Sequence, residues 1–221
     1  MGCLLGAAIT VIGVVAGSPV GAQTAPGVVD HLPVVQAPQG PVVADFDGRK
    51  IDLSKGWADA QACLVWRQGG VVQCFRTNAE LDARERQLEP QRRQVAAAQA
   101  AVSRAATTQA AAAQPVAGTV TAPAPALAAS SYSCSSSLDL YDYTWYGGRR
   151  LSFWDRGLWQ NVGDFGFNDQ LSSYIVGACY VYLAEHDNGG GAWYPGVTSS
   201  YHPESSMVAG WDNQVSSLYI T

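Results

Sequence analysis

The sequence predicts an all-β protein: a Greek-key β-sandwich over residues 132 to 221, preceded by a small disulfide-closed β-hairpin unit, a helical spacer and a disordered linker. Three observations carry that expectation. Residues 138 to 220 break into short alternating runs such as LDLYDY, RRLSFW, CYVYLAE and SSLYI, separated by Gly, Asp and Asn clusters and without a helical period. The stretch FNDQLSSY (167–174) returns as GWDNQVSSLY (210–219), so the scheme is written twice. All ten Tyr and five of the seven Trp fall after residue 131, where a small core can therefore be built, because aromatic side chains carry much of the buried area of such a domain.

Residues 1 to 22 read as an export signal: an apolar run from Gly2 to Gly17, then Ser18 and Pro19, with small residues at Val20 and Ala22 that suit cleavage after Ala22. The run is shorter than the roughly 20 apolar residues of a membrane span, so the implied protein is secreted and keeps no stable membrane association. A basic start is missing, since the first Lys or Arg is Arg49, and Cys3 precedes the apolar run instead of following it as a lipid-attachment cysteine does. Residues 23 to 43, rich in Pro, Val, Gln and Gly, read as a leader with little fixed structure.

Residues 44 to 77 form the predicted hairpin unit. DFDGRKIDLSKGW carries a D-G turn, and ACLVWRQGGVVQCF sets two apolar runs around Gly69 and Gly70 with Cys63 and Cys74 on opposite arms. Thr77 and Glu80 stand at capping-box spacing and open a helix over residues 78 to 106, which Pro90 should kink or split. Its apolar residues are mostly Ala, too small for a burying stripe, so it reads as a solvated spacer. Residues 107 to 131 collapse to Ala, Pro, Thr, Gln and Val, a low-complexity linker.

Without the signal, four cysteines are left: Cys63, Cys74, Cys134 and Cys179. An even set in an exported chain argues for disulfides, and the absence of C-x-x-C or Cys/His spacing argues against zinc. Three pairings are possible; Cys63 with Cys74 and Cys134 with Cys179 is favoured because each closes a loop inside one segment. Residues 131 to 221 hold three Arg and no Lys against nine Asp plus Glu, a surface suited to a cation and not to nucleic acid. His31, His186 and His202 are scattered and no HExxH, GxSxG or P-loop pattern occurs, so no enzyme is expected.

The repeated domain carries more specific marks. In YDYTWYGG, Tyr141, Tyr146 and Gly148 have the spacing of a folded-over hairpin, an aromatic pair followed by a Gly at positive φ; Tyr182 and Gly189 stand in the second copy, with Asp187 where an aromatic is expected. The hexapeptides NDQLSS (168–173) and DNQVSS (212–217) each offer two Asn/Asp residues, two variable residues, then two serines. On these residues, segment 134 to 221 resembles a βγ-crystallin domain of the microbial calcium-binding kind, built of two Greek-key motifs. The resemblance implies two calcium ions, each held by a double clamp: the third-position carbonyl and fifth-position hydroxyl of one hexapeptide, the second-position side chain of the other, and a hairpin-loop carbonyl. Carried onto this sequence, the ligands are Asp169, Gln170 and Ser172, Asn213, Gln214 and Ser216, with loop carbonyls from Thr144 and Glu185. The residue types agree, since Ca²⁺ takes six to eight oxygen ligands from carboxylates, amides, hydroxyls and carbonyls. The clamp that receives the neutral Asn213 should be the weaker.

Two other partners fit parts of the pattern. Secreted metalloproteinase inhibitors also use a crystallin-like fold closed by disulfides, which makes an inhibitor of a secreted protease the alternative function. Trp145, Trp159 and Trp193 would be the residues of a cell-wall glycan surface.

Overall fold

The computed structural model describes residues 36–37, 40–112 and 137–221. The predicted signal peptide, most of the leader, Cys134 and most of the linker lie outside the described residues. Eleven strands and one α-helix follow in order: β1 (Val43–Phe46), β2 (Arg49–Asp52), β3 (Ala62–Trp66), β4 (Val71–Phe75), α1 (Asn78–Ala112), β5 (Leu138–Tyr143), β6 (Gly147–Phe153), β7 (Trp159–Asn161), β8 (Ser173–Val176), β9 (Val181–Ala184), β10 (Pro203–Glu204) and β11 (Ser217–Ile220). Among the described residues no helix is long and apolar enough to cross a membrane.

Residues 138 to 220 form the predicted sandwich, and its two halves exchange a strand. The larger sheet contains β10-β8-β5-β6 and the smaller one β7-β11-β9. Thus β7 of the first copy pairs with β11 of the second, Trp159 opposite Tyr219, while β10 of the second pairs with β8 of the first. Each copy is completed by the other, and the apolar faces of both sheets close over one core that includes Leu140, Phe153, Phe165, Tyr174, Leu183 and Leu218.

The β3–β4 hairpin forms as expected, with Cys63 opposite Cys74 and a disulfide between them. It does not stand apart. β3 runs parallel to β6, from Ala62 opposite Arg150 to Val65 opposite Phe153, so the larger sheet continues as β10-β8-β5-β6-β3-β4-β1-β2. The run ACLVW explains this: β3 is buried at all five positions, because Cys63 and Val65 face the sandwich core while Ala62, Leu64 and Trp66 face the helix. A strand covered on both faces loses the polar alternation of a half-exposed one. The leader expectation is corrected at its end: Ala37 donates to the Trp159 carbonyl (2.8 Å), and Val42 is buried in the core.

The helix expectation is corrected too. The capping box closes as predicted, Glu80 N–H to Thr77 Oγ1 (3.2 Å) and Thr77 N–H to Glu80 Oε2 (3.1 Å). α1 then continues through Pro90 without a break. Its first turns are a covering element and not a solvated spacer, because Leu81 and Leu88, two turns apart on one face, bury against Trp66 and Trp154. Beside them Arg150 of β6 binds Asp82 (2.6 Å), Glu85 (3.2 Å) and Asp139 (2.9 Å), while Glu85 also accepts from Ser152 and Trp154. Burial opposes the charge on Arg150, yet Asp139 and Glu85 hold its proton above the ordinary arginine range. Cys179 is buried and disulfide-bonded.

Candidate functional site

The two copies build the same local structure at one end of the sandwich. Each hairpin turns through two residues at positive φ, Trp145 and Tyr146 (58° and 60°) in the first, Asn188 and Gly189 (57° and 79°) in the second. The turn is closed by Gly147 N–H on the Thr144 carbonyl and by Gly190 N–H on the Asp187 carbonyl (3.1 Å). A carboxylate then reaches across each hairpin: Asp142 accepts from Arg149 N–H (2.7 Å), and Glu185 from Ala192 N–H (3.1 Å).

The sixth-position serines hold these tips. Ser173 Oγ donates to the Tyr143 carbonyl (2.6 Å) and accepts from Tyr146 N–H (3.1 Å); Ser217 Oγ donates to the His186 carbonyl (2.6 Å) and accepts from Gly189 N–H (2.9 Å). Sequence reasoning assigned nothing to either serine, although the doubled Ser-Ser in both copies was the available signal. The matched bonds also set the register between hairpins. The counterpart of Tyr146 is Gly189 and that of Gly148 is Gly191, the latter two at φ 75° and 72°. Asp187 therefore matches Thr144, and Glu185 matches Asp142. Tyr146 packs edge-on against Tyr141 (5.7 Å), while at Gly189 a Cβ would strike the ring of Trp159, so the missing aromatic is replaced by one from another strand.

The hexapeptides cross. Asp169 N–H donates to the Val215 carbonyl (3.2 Å) and Asn213 N–H to the Leu171 carbonyl (3.0 Å), both residues being left-handed (φ 51° and 58°). Asp and Asn tolerate that conformation better than other side chains. The crossing lays Asp169 beside the fifth-position serine of the other motif, Ser216 Oγ meeting Asp169 Oδ1 at 3.4 Å, while Asn213 and Ser172 line one cleft.

Exchanged strands, paired left-handed tips and crossed motifs together define a known architecture. Residues 138 to 220 have the βγ-crystallin Greek-key fold. Solved crystallins are similar to this domain: a beta gamma crystallin from Ciona intestinalis (20% identity, covering 39% of this chain and 100% of that one, TM-score 0.33) and a betagamma-crystallin domain from Flavobacterium johnsoniae (25% identity, 38% and 92%, TM-score 0.33). A betagamma-crystallin from an archaeon matches likewise (23% identity, 39% and 98%, TM-score 0.32). The rest of the chain lies outside these matches. No family model matches the sequence, and no curated protein does.

Two open clefts flank the crossed motifs of this domain. The first, of about 790 Å³, is lined by Asp142, Tyr143, Thr144, Arg149, Asp169, Gln170, Ser172, Asp212 and Asn213. It brings together Gln170, Ser172 and Asn213, the hexapeptide residues implied for one clamp, with Thr144, one of the two implied loop residues. Arg149 stands in its wall, bound through Nε to Asp142 (2.7 Å) and through a second nitrogen to the Gln170 amide oxygen, with its guanidinium over the rings of Trp57 (4.8 Å) and Phe167 (5.4 Å).

The second cleft, of about 540 Å³, is lined by Asn161, Gly163, Asp164, Asn168, His186, Asp187 and Ser216. Of the residues predicted for the other clamp, Ser216 lines it, while Asp169 lines the first cleft and meets Ser216 from there at 3.4 Å. Gln214 is exposed, its amide turned to the Asn213 carbonyl (3.1 Å), and Glu185 lines neither cleft, its carboxylate being spent on Ala192. Burial raises the Asp164 carboxyl above its ordinary range, and the nearby charge of Asp187 adds to the rise. No group of three or more His, Cys, Asp or Glu suited to a metal ion occurs among the described residues. Apart from Arg149 in the first cleft and His186 in the second, the polar side chains that line the clefts are hydroxyls, amides and carboxylates, oxygen-rich types that fit a hard cation of flexible geometry better than zinc or copper.

Proposed function

We propose that this chain is a secreted, non-enzymatic calcium-binding protein of the βγ-crystallin type, in which each cleft takes one Ca²⁺. The observation that carries the reading is the crossing of the hexapeptides: paired backbone bonds 169–215 and 213–171 join the two motifs, and Asp169 Oδ1 of one lies 3.4 Å from the Ser216 hydroxyl of the other. In the first clamp the residues are Thr144, Gln170, Ser172 and Asn213. In the second they are Asp169, Gln214 and Ser216, with Asp187 taking the loop position that sequence reasoning gave to Glu185. Bound calcium supplies a divalent charge shared by oxygens of both copies. Because those oxygens converge only when both copies are folded, the ion stabilises the native state by mass action, by about 2.7 kcal/mol per site at a hundredfold excess over Kd. Export is supported by the signal-like start and by the Cys63–Cys74 disulfide, a bond that persists in oxidising compartments.

The test is a thermal melt of the full mature chain with calcium and with chelator, because β3 and α1 complete the larger sheet and its cover. Calcium should raise the midpoint, and Ser172→Ala and Ser216→Ala should each remove part of the rise and one equivalent of bound ion in a calorimetric titration. An unmoved midpoint with no heat of binding at millimolar calcium refutes the reading.

A further inference from the structure

The first hairpin tip carries an aromatic side chain that the fold does not explain. A turn with two central residues at positive φ favours Asn-Gly, and the second copy has that pair, Asn188-Gly189. The first copy has Trp145-Tyr146 in the same conformation, where a bulky side chain is strained. Tyr146 is accounted for by its packing on Tyr141. Trp145 is 78% exposed and Tyr143 67%, so neither ring is held for the sake of the core. The counterparts of these residues in the second copy are Asn188 and His186. Trp159 and Trp193, the other tryptophans considered for a glycan surface, pack on one another (5.5 Å), Trp159 buried and Trp193 half-buried.

Tyr143 also lines the first cleft, whose remaining walls are amides, hydroxyls and three carboxylates against one guanidinium. That balance, with nine acids to three Arg over residues 131 to 221, repels phosphates and anionic lipid. A neutral sugar meets both parts of the surface: its C–H face suits an exposed aromatic ring, and its hydroxyls suit carboxylate and amide acceptors. The cleft volume of about 790 Å³ lies in the range of small-ligand sites.

We propose that the first hairpin tip and its cleft bind a pyranose unit of a neutral polysaccharide, with Trp145 and Tyr143 as the stacking platform and Asp142, Asp169 and Asn213 as hydroxyl partners. The proposal shares Asp169 and Asn213 with the calcium reading but rests on the exposed rings of Trp145 and Tyr143, which that reading does not use, and the chelator arm of the test reads it without the ion.

The test is co-sedimentation of the full mature chain with chitin and with microcrystalline cellulose, each in calcium and in chelator, beside vesicles of phosphatidylcholine and phosphatidylserine. Wild type should bind at least one polysaccharide in at least one of the two conditions. Trp145→Asn, which installs the residue of the second copy, should weaken that binding at least about tenfold, and Tyr143→Ala should weaken it less. Trp145→Asn should also raise the melting midpoint by about 2 to 4 °C by relieving the left-handed strain, which separates lost binding from lost folding. The proposal is overturned if wild type sediments with neither polysaccharide, if Trp145→Asn binds as well as wild type, or if the Trp145-dependent partition is onto vesicles alone. A calcium-dependent midpoint that survives in Trp145→Asn keeps the outcome separate from that of the calcium reading.

Discussion

At matched positions just after the hairpin turn, the first Greek-key copy carries Arg149 and Arg150 and the second carries Ala192 and Trp193. The backbone at these positions is the same, as the shared carboxylate-to-amide bonds show, but the side chains go to different uses. Arg149 turns into the first cleft and neutralises part of its acid, whereas Ala192 leaves the second cleft without a guanidinium from this position. Arg150 points to the other face and fastens α1 through Asp82 and Glu85; Trp193 packs with Trp159 and Tyr182. A duplicated fold can thus keep its main-chain geometry while one copy is fitted to an added layer and the other packs on its partner copy within the sandwich.

The largest effect that would break this comparison comes from Arg150. Arg150→Met leaves Asp139 and Glu85 buried without their cation, and urea denaturation should show a loss of about 3 to 5 kcal/mol. A loss under about 1 kcal/mol would mean that α1 is not fastened by charge.

Arg149 sharpens the contrast between clefts. Removing its charge in Arg149→Gln should tighten calcium at the first cleft by about 1 to 2 kcal/mol, seen as convergence of the two binding steps in calorimetry. The same variant should melt lower in chelator, since the stacking on Trp57 and Phe167 is lost, so affinity and apo stability move in opposite directions. The converse substitution, Ala192→Arg, should weaken the second step by a smaller amount, because position 192 is exposed and a charge there is screened by solvent.

The smallest expected effect is on pH dependence. Burial, and then the charge of Asp139, raise the Glu85 carboxyl above the ordinary glutamate range. The folded chain therefore holds this proton more tightly than the unfolded one. The resulting stabilisation is fully present below the unfolded pKa and is lost as pH rises through the raised folded value. Glu85→Gln should flatten the stability profile across that window, and an unchanged slope would show that Glu85 does not titrate against folding.

The turn chemistry of the two hexapeptides was legible in the sequence, because it is carried by residues a few positions apart. That Thr144, Gln170, Ser172 and Asn213 line one cleft is a tertiary fact, since they come from three separate segments. The second hairpin was less legible. Aligning Tyr182 by its aromatic character puts Glu185 opposite Thr144, whereas the bonds of Ser217 fix the register at Asp187.

The helix itself was legible from residue 78 onward, but its covering role was not, for a related reason. Its composition is dominated by Ala, so the average hides two leucines at heptad spacing that find Trp66 and Trp154 only after β3 has joined β6.

By itself the sequence determined what depends on neighbours along the chain: short strands, the two hairpins, the capping box, the Cys63–Cys74 closure and the duplicated oxygen-rich turns. Tertiary structure alone decided the exchange of β7 and β10, the parallel docking of β3 on β6, the covering role of α1 and the entry of Arg149 into one cleft. Each of these joins residues tens of positions apart, and such contacts are chosen by which apolar faces and buried charges can be satisfied together, a property of the packed whole that no local window of residues contains.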